Sequence, residues 1–253
     1  MAKDSEIIYG IHSVRHALQQ DPSAVLELWL QRGSKIAGDR DIKQLADGAG
    51  ASIQVVPEAS LTELCGSAQH QGLVIRRRKH HSGVADLGTL LANTTPDGLL
   101  FLVLDGVQDP HNLGACLRTA NAAGVTAVII PRDRAVQVNA TVHKVASGAA
   151  EYLPVLAVTN LARTLEQLQA HGVWCYGLDT DAEKSLYDID LTGPAALVLG
   201  AEGKGLRQNT RMHCDAIVAL PMAGQVESLN VSAAAAVCLY EAVRQRTSVK
   251  SKK

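Results

Sequence analysis

The sequence predicts an α/β protein of two domains, the second built on a parallel sheet with helices on both faces. Residues 99–104 form a continuous apolar run, as expected of a strand buried on both sides. From there strands and helices alternate to the C-terminus, the order that yields parallel sheets. Near residue 79 turn and polar residues replace the periodic segments. The chain therefore reads as a small α/β domain over 1–78, a linker over 79–97, a larger domain over 98–247 and a basic tail over 248–253.

In the first domain, Tyr9-Gly10-Ile11-His12-Ser13-Val14 opens a helical stretch to about Gln20. Strands are expected over 25–30, 52–56 and 73–77, and helices over 41–49 and 59–64. In the second, the strand over 99–104 leads to a helix over 113–123 that Gly124 closes. A strand over 127–130, a helix over 139–147 and a strand over 152–156 follow. Thr159 or Asn160 caps a helix to His171. Strands over 173–178, 195–199 and 216–220 precede a last helix over 231–246.

Composition narrows the function classes. Of 253 residues, 47% are hydrophobic and 19% charged, the balance of a globular protein. Aromatics are only 3%, so the cores must be built from Val, Leu, Ile and Ala. The formal net charge is -1, so any nucleic-acid surface must be local. No apolar run approaches the ~20 residues of a membrane span, and the N-terminus carries no signal-peptide pattern. Five scattered cysteines without a CxxC pair point to reduced thiols in the cytosol. The histidines show no metal-ligand spacing, so no catalytic metal is expected.

Ligands of parallel α/β sheets bind beyond the carboxyl ends of the strands. Three unusual segments lie there. The first is Asn112-Leu113-Gly114-Ala115-Cys116-Leu117-Arg118-Thr119-Ala120, with Asn112 placed as a helix N-cap. The second is Leu199-Gly200-Ala201-Glu202-Gly203-Lys204-Gly205-Leu206. Its GxxGxG order is neither a dinucleotide fingerprint nor a phosphate loop. The third is Leu220-Pro221-Met222-Ala223-Gly224-Gln225-Val226-Glu227-Ser228-Leu229-Asn230-Val231-Ser232. Each alone also reads as ordinary capping or a glycine turn; capping alone does not explain three such loops at strand ends.

Together the segments resemble the SPOUT superfamily, specifically the SpoU (TrmH-like) RNA ribose 2′-O-methyltransferases. The first looks like the family's N-x-G-A-x-x-R-T-A motif, the second like L-x-x-G-x-E-G-x-G, and the third like P-M-x-G-x-x-x-S-L-N-V-S. Their order and spacing agree as well. Tyr9-Gly10-Ile11-His12 and the run from Asp105 through Gly114 are similar to the bacterial subgroup that methylates a guanosine ribose of 23S rRNA in the peptidyl-transferase centre.

The resemblance implies a C-terminal trefoil knot that binds S-adenosyl-L-methionine, an N-terminal L30e-like RNA-binding domain, and a homodimer. It places catalysis on Asn112, Arg118, Glu202, Ser228 and Asn230. Gly200, Leu220 and Leu229 are the implied cofactor contacts, joined by Gly203, Gly205 and Met222 in the same loops. A guanidinium keeps its proton to pH above ~12, so Arg118 suits a phosphate clamp better than a base. Arg76, Arg77, Arg78 and Lys79 form a basic run with no acidic residue between Gln69 and His81. With Arg132 and Arg134 they are the candidate RNA contacts. The implied substrate is 23S rRNA or a large-subunit precursor. The same chemistry on another rRNA or a tRNA stays open, as does a non-catalytic rRNA-binding assembly factor.

Overall fold

The computed structural model describes residues 5–78, 86–95 and 98–250. In chain order the elements are β1 (Ser5–Tyr9), α1 (Ile11–Gln20), β2 (Val25–Gln31), α2 (Arg40–Gly48), β3 (Ser52–Val56), α3 (Glu58–Cys65), β4 (Leu73–Arg78) and α4 (Leu87–Ala92). They continue with β5 (Leu100–Asp105), α5 (Pro110–Ala122), β6 (Ala127–Pro131), α6 (Ala140–Ala146), α7 (Ala149–Tyr152), β7 (Val155–Val158), α8 (Leu161–Ala170) and β8 (Trp174–Leu178). The last are β9 (Ala195–Gly200), α9 (Gln208–Met212), β10 (Ala216–Val218) and α10 (Val231–Lys250).

Two compact units result. One is Met1–Ser82 with Val138–Tyr152, the other Gly83–Gln137 with Leu153–Lys253. The expected boundary differs in one respect: the segment carrying α6 and α7 packs with the N-terminal strands, although chain order puts it inside the second domain.

The first unit is a mixed sheet in the order β1-β4-β2-β3, with β4 antiparallel to both neighbours and β2 parallel to β3. Alternation along the strands sends side chains to two faces. Ile8, Leu28, Leu30, Leu73 and Ile75 pack with Val14, Leu18, Ile42 and Ala46 of α1 and α2. Tyr9, Trp29, Leu61 and Val74 form a smaller cluster on alternate positions, against which Ala140 of α6 packs. Strand β1 is absent from the sequence expectation. Its Glu6 stands opposite Arg77 in the β1–β4 register.

The second unit is an all-parallel sheet in the order β10-β8-β9-β5-β6-β7. Every residue of the central β5 is buried, as its unbroken apolar run predicts. Helices α5 and α10 pack against each other, and α8 packs on β8. The strand expected over 152–156 begins later, at Val155. Tyr152 ends a short helix instead, because Ser147 and Gly148 turn left-handed and Pro154 offers no amide to a ladder.

Candidate active site

Register brings the first two motifs together. Asp105, last in β5, is the partner of Gly200, last in β9. The loops that follow therefore leave the sheet side by side. The third motif joins them because α10 packs along α5.

Asn112 is not the helix cap expected of it. Asp109 is the N-cap of α5, accepting a hydrogen bond from the His111 amide at 2.8 Å, and Pro110 takes the first helical position. Proline suits that position, where its missing N–H costs nothing. Asn112 thereby sits in the first turn with its side chain free to reach outward. Its Nδ2 donates to Glu202 Oε1 at 2.7 Å. Asn230 Nδ2 donates to the same oxygen at 2.6 Å and to Asn112 Oδ1 at 3.0 Å. Asn230 Oδ1 accepts from the amide and hydroxyl of Ser232, capping α10. Three motifs thus converge on one carboxylate oxygen. Oε2 of Glu202 carries no hydrogen bond among the described residues.

Glu202 also lines a cavity of about 370 Å³. Its walls come from three loops: Leu178 to Thr180 after β8, Leu199 to Gly205 after β9, and Leu220, Met222 and Glu227 to Leu229 after β10. Gly200, Gly203, Gly205, Leu220, Met222, Leu229 and Ser228 all line it. The glycines are there for reasons of space and conformation. A Cβ on Gly200 would stand 2.0 Å from the Gly205 carbonyl carbon. Gly203 and Gly205 adopt φ of 71° and 62°, the left-handed region.

Arg118, two turns into α5, is exposed and makes no ion pair among the described residues. Burial, and then the Glu202 charge, push the Cys116 thiol up to about 12. Among the described residues no group of three or more His, Cys, Asp or Glu could hold a metal ion.

Sequence reasoning missed Asp105 and Arg207. Asp105 is buried, and its Oδ2 accepts from the Arg207 amide at 2.9 Å while Oδ1 lies 3.4 Å from Arg207 Nη1. The signal in the sequence was the Asp-Gly pair that ends a strand and opens the run over 105–114.

The basic run divides. Arg77 is 1% exposed, so its assignment as an RNA contact is corrected. Strand alternation turns it inward, where Nε donates to Glu6 at 2.8 Å and Nη1 donates to Glu151. His143 completes the network, 3.0 Å from Glu151 and 3.4 Å from Glu6. Burial would raise Glu6, but His143 and Arg77 hold it down at about 2. Burial would lower His143, but Glu151 and Glu6 hold it up at about 9. Arg76 pairs with Glu27 and lies over the Trp29 ring at 5.7 Å. Arg78, Arg132 and Arg134 are exposed, and Lys79 lies outside the described residues.

The family model described as the SpoU rRNA methylase family matches residues 99–240. A second, described as RNA 2′-O ribose methyltransferase substrate binding, matches residues 7–84. The 23S rRNA (guanosine-2′-O-)-methyltransferase RlmB of Yersinia pestis is 52% identical over 247 residues, covering 96% of this chain and 98% of that protein. Its counterpart from Xylella fastidiosa is 51% identical, covering 98% and 100%. A crystal structure of an RNA 2′-O ribose methyltransferase superposes with a TM-score of 0.79 at 29% identity, covering 97% of this chain and 90% of that one.

Proposed function

Because the chain belongs to the SpoU rRNA methylase family, we propose that it methylates the ribose 2′-hydroxyl of a guanosine in 23S rRNA, with S-adenosyl-L-methionine as donor. The observation that carries this reading is the meeting of Asn112, Glu202 and Asn230 at the edge of the glycine-lined cavity.

The cavity fits the donor. Leu178, Leu199, Leu220 and Leu229 offer apolar walls for a nucleoside base, and the Cβ-free passage at Gly200 and Gly205 opens backbone groups to its polar edge. When bound, the donor supplies an electrophilic methyl group on a sulfonium. The protein's task is to bring the ribose hydroxyl into line with it and to exclude other geometries. Glu202 holds the amides of Asn112 and Asn230 in fixed directions, so their orientation is set before RNA arrives. The exposed guanidinium of Arg118 clamps the phosphate beside the target ribose, where a planar fork fits two phosphate oxygens. Ser228, in the wall of the cavity, helps hold the third loop and the substrate.

Further parts of the reading belong with this proposal. Three successive loops around one cavity support a trefoil knot over the C-terminal strands. The two family models support an L30e-like RNA-binding domain ahead of a SPOUT domain. Val237 and Tyr240, exposed at 36% and 52% on α10, support a homodimer. The target lies in the peptidyl-transferase centre of the large subunit. No described helix is long and apolar enough to cross a membrane, in keeping with a cytoplasmic enzyme.

The test is transfer of labelled methyl from S-adenosyl-L-methionine to 23S rRNA or large-subunit precursors, followed by mapping. A single 2′-O-methylguanosine is expected. No incorporation into any RNA would overturn the enzymatic reading.

A further inference from the structure

We propose that Arg207 is a positioning residue that locks the loop over 131–137 into the shape in which Arg132 and Arg134 grip RNA phosphates. The inference rests on the methyltransferase reading above.

Arg207 follows Leu206, the buried end of the cofactor loop. Its backbone amide and its guanidinium both engage the buried Asp105 at the end of β5. Nη2 then donates to the Arg134 carbonyl at 3.3 Å. Gln108 Nε2 donates to that same carbonyl at 2.6 Å and to the Gly106 carbonyl at 3.1 Å. Gly106 has a φ of 91°, which favours glycine, and a Cβ there would press on Arg207 Nη2 at 2.8 Å.

The loop is fixed along its length. The Val136 amide donates to the Val107 carbonyl at 2.8 Å, and Gln137 Nε2 donates to the carbonyls of Pro131 and Arg132 at 2.9 and 3.2 Å. Arg134 itself has φ of 57°. A non-glycine residue keeps that conformation only where its surroundings over-determine it, and such residues concentrate at functional sites. The side chains of Arg132 and Arg134 point to solvent without ion pairs among the described residues. Arg207 is different. Its charge is matched by Asp105, so it acts through Arg134 rather than on phosphate itself. Asp105 and Gly200 are strand partners, so the latch starts where the cofactor loop starts.

The test uses the full chain with 23S rRNA fragments. Arg207→Ala should raise KM for RNA about tenfold, while kcat at saturating RNA and Kd for S-adenosylhomocysteine stay within about twofold. Arg207→Lys should recover only part of the loss, since one ammonium does not span Asp105 and the Arg134 carbonyl. On an Arg134→Ala background, Arg207→Ala should add less than about twofold. Should Arg207→Ala fail to fold, Gln108→Ala loosens the same carbonyl and should raise KM for RNA about threefold, by the loss of one hydrogen bond. Full additivity of the double variant would overturn the proposal, because Arg207 would then touch RNA directly. An unchanged KM for RNA in both Arg207→Ala and Gln108→Ala would overturn it too. A wild-type chain that binds no S-adenosylhomocysteine would instead overturn the methyltransferase reading beneath it.

Discussion

Asn112 donates a 2.7 Å hydrogen bond to Glu202, a residue 90 positions away in the chain. The pair exists because β5 and β9 are neighbours and end level with each other. Asn230 then closes the set from the start of α10. An exposed carboxylate holding two amides is an arrangement with little to offer stability and much to offer orientation.

Glu202→Gln tests that division. Hydrogen bonds to a charged group are worth ~1.5–3 kcal/mol each, so turnover should fall about 10- to 100-fold. The melting temperature should hold within about 2 °C, since surface changes are usually small. Single-turnover kinetics and a thermal melt on one preparation check both. A loss of stability with normal turnover would reverse the assignment.

Gly200→Ala should weaken cofactor binding. The added Cβ meets the Gly205 backbone at 2.0 Å, with no flexible side chain to yield. Overpacking of this kind costs ~1–3 kcal/mol, and the cavity wall must shift to relieve it. Calorimetry with S-adenosylhomocysteine should find binding weakened by at least about tenfold. Unchanged affinity would move the cofactor elsewhere.

The basic residues should separate by salt dependence. Arg132→Ala should lower the slope of log K against log salt for RNA binding by about one. Arg77→Ala should leave the slope alone and destabilise the first unit, since removing one member of a buried ion network costs ~3–5 kcal/mol. Filter binding at several salt concentrations, beside chemical denaturation, distinguishes them.

The same network sets a pH window. Glu6 is held at about 2 against an ordinary 4.5, so its contribution is complete above 4.5 and is lost as pH falls toward 2. His143 is held at about 9 against 6.5, so its contribution is complete below 6.5 and is lost as pH rises through 9. Glu151 is also held low and shares the acid limb. Burial holds His16 below its ordinary value, so it is neutral through the alkaline limb. Protection of the β1 and α6 amides, taken relative to intrinsic exchange at each pH, should be greatest between about pH 4.5 and 6.5. In His143→Gln the alkaline loss should disappear, and the acid loss should shrink to the part that Arg77 sustains.

Arg118→Lys should reduce kcat/KM for RNA about 10- to 100-fold, because one ammonium replaces a bidentate fork. Binding of S-adenosylhomocysteine should not change. Near-native turnover would remove the clamp role from Arg118.

The sequence by itself determined the parallel sheet, the order of most elements and the three loops that form the site. Those features are written in local signals: unbroken apolar runs for strands buried on both faces, and glycines where backbones pass within a Cβ of each other. Tertiary structure decided what local signals do not carry. Whether Arg77 faces solvent depends on β1, whose partner strand lies some 70 residues away, and an alternating strand puts alternate arginines on opposite faces. Whether Asn112 caps its helix or reaches Glu202 depended on Asp109 taking the cap first. Asp105 and Arg207 meet only because two strands distant in sequence end side by side. Pairing between residues far apart in the chain leaves no periodicity to read, so the fold had to be closed before the site could be seen whole.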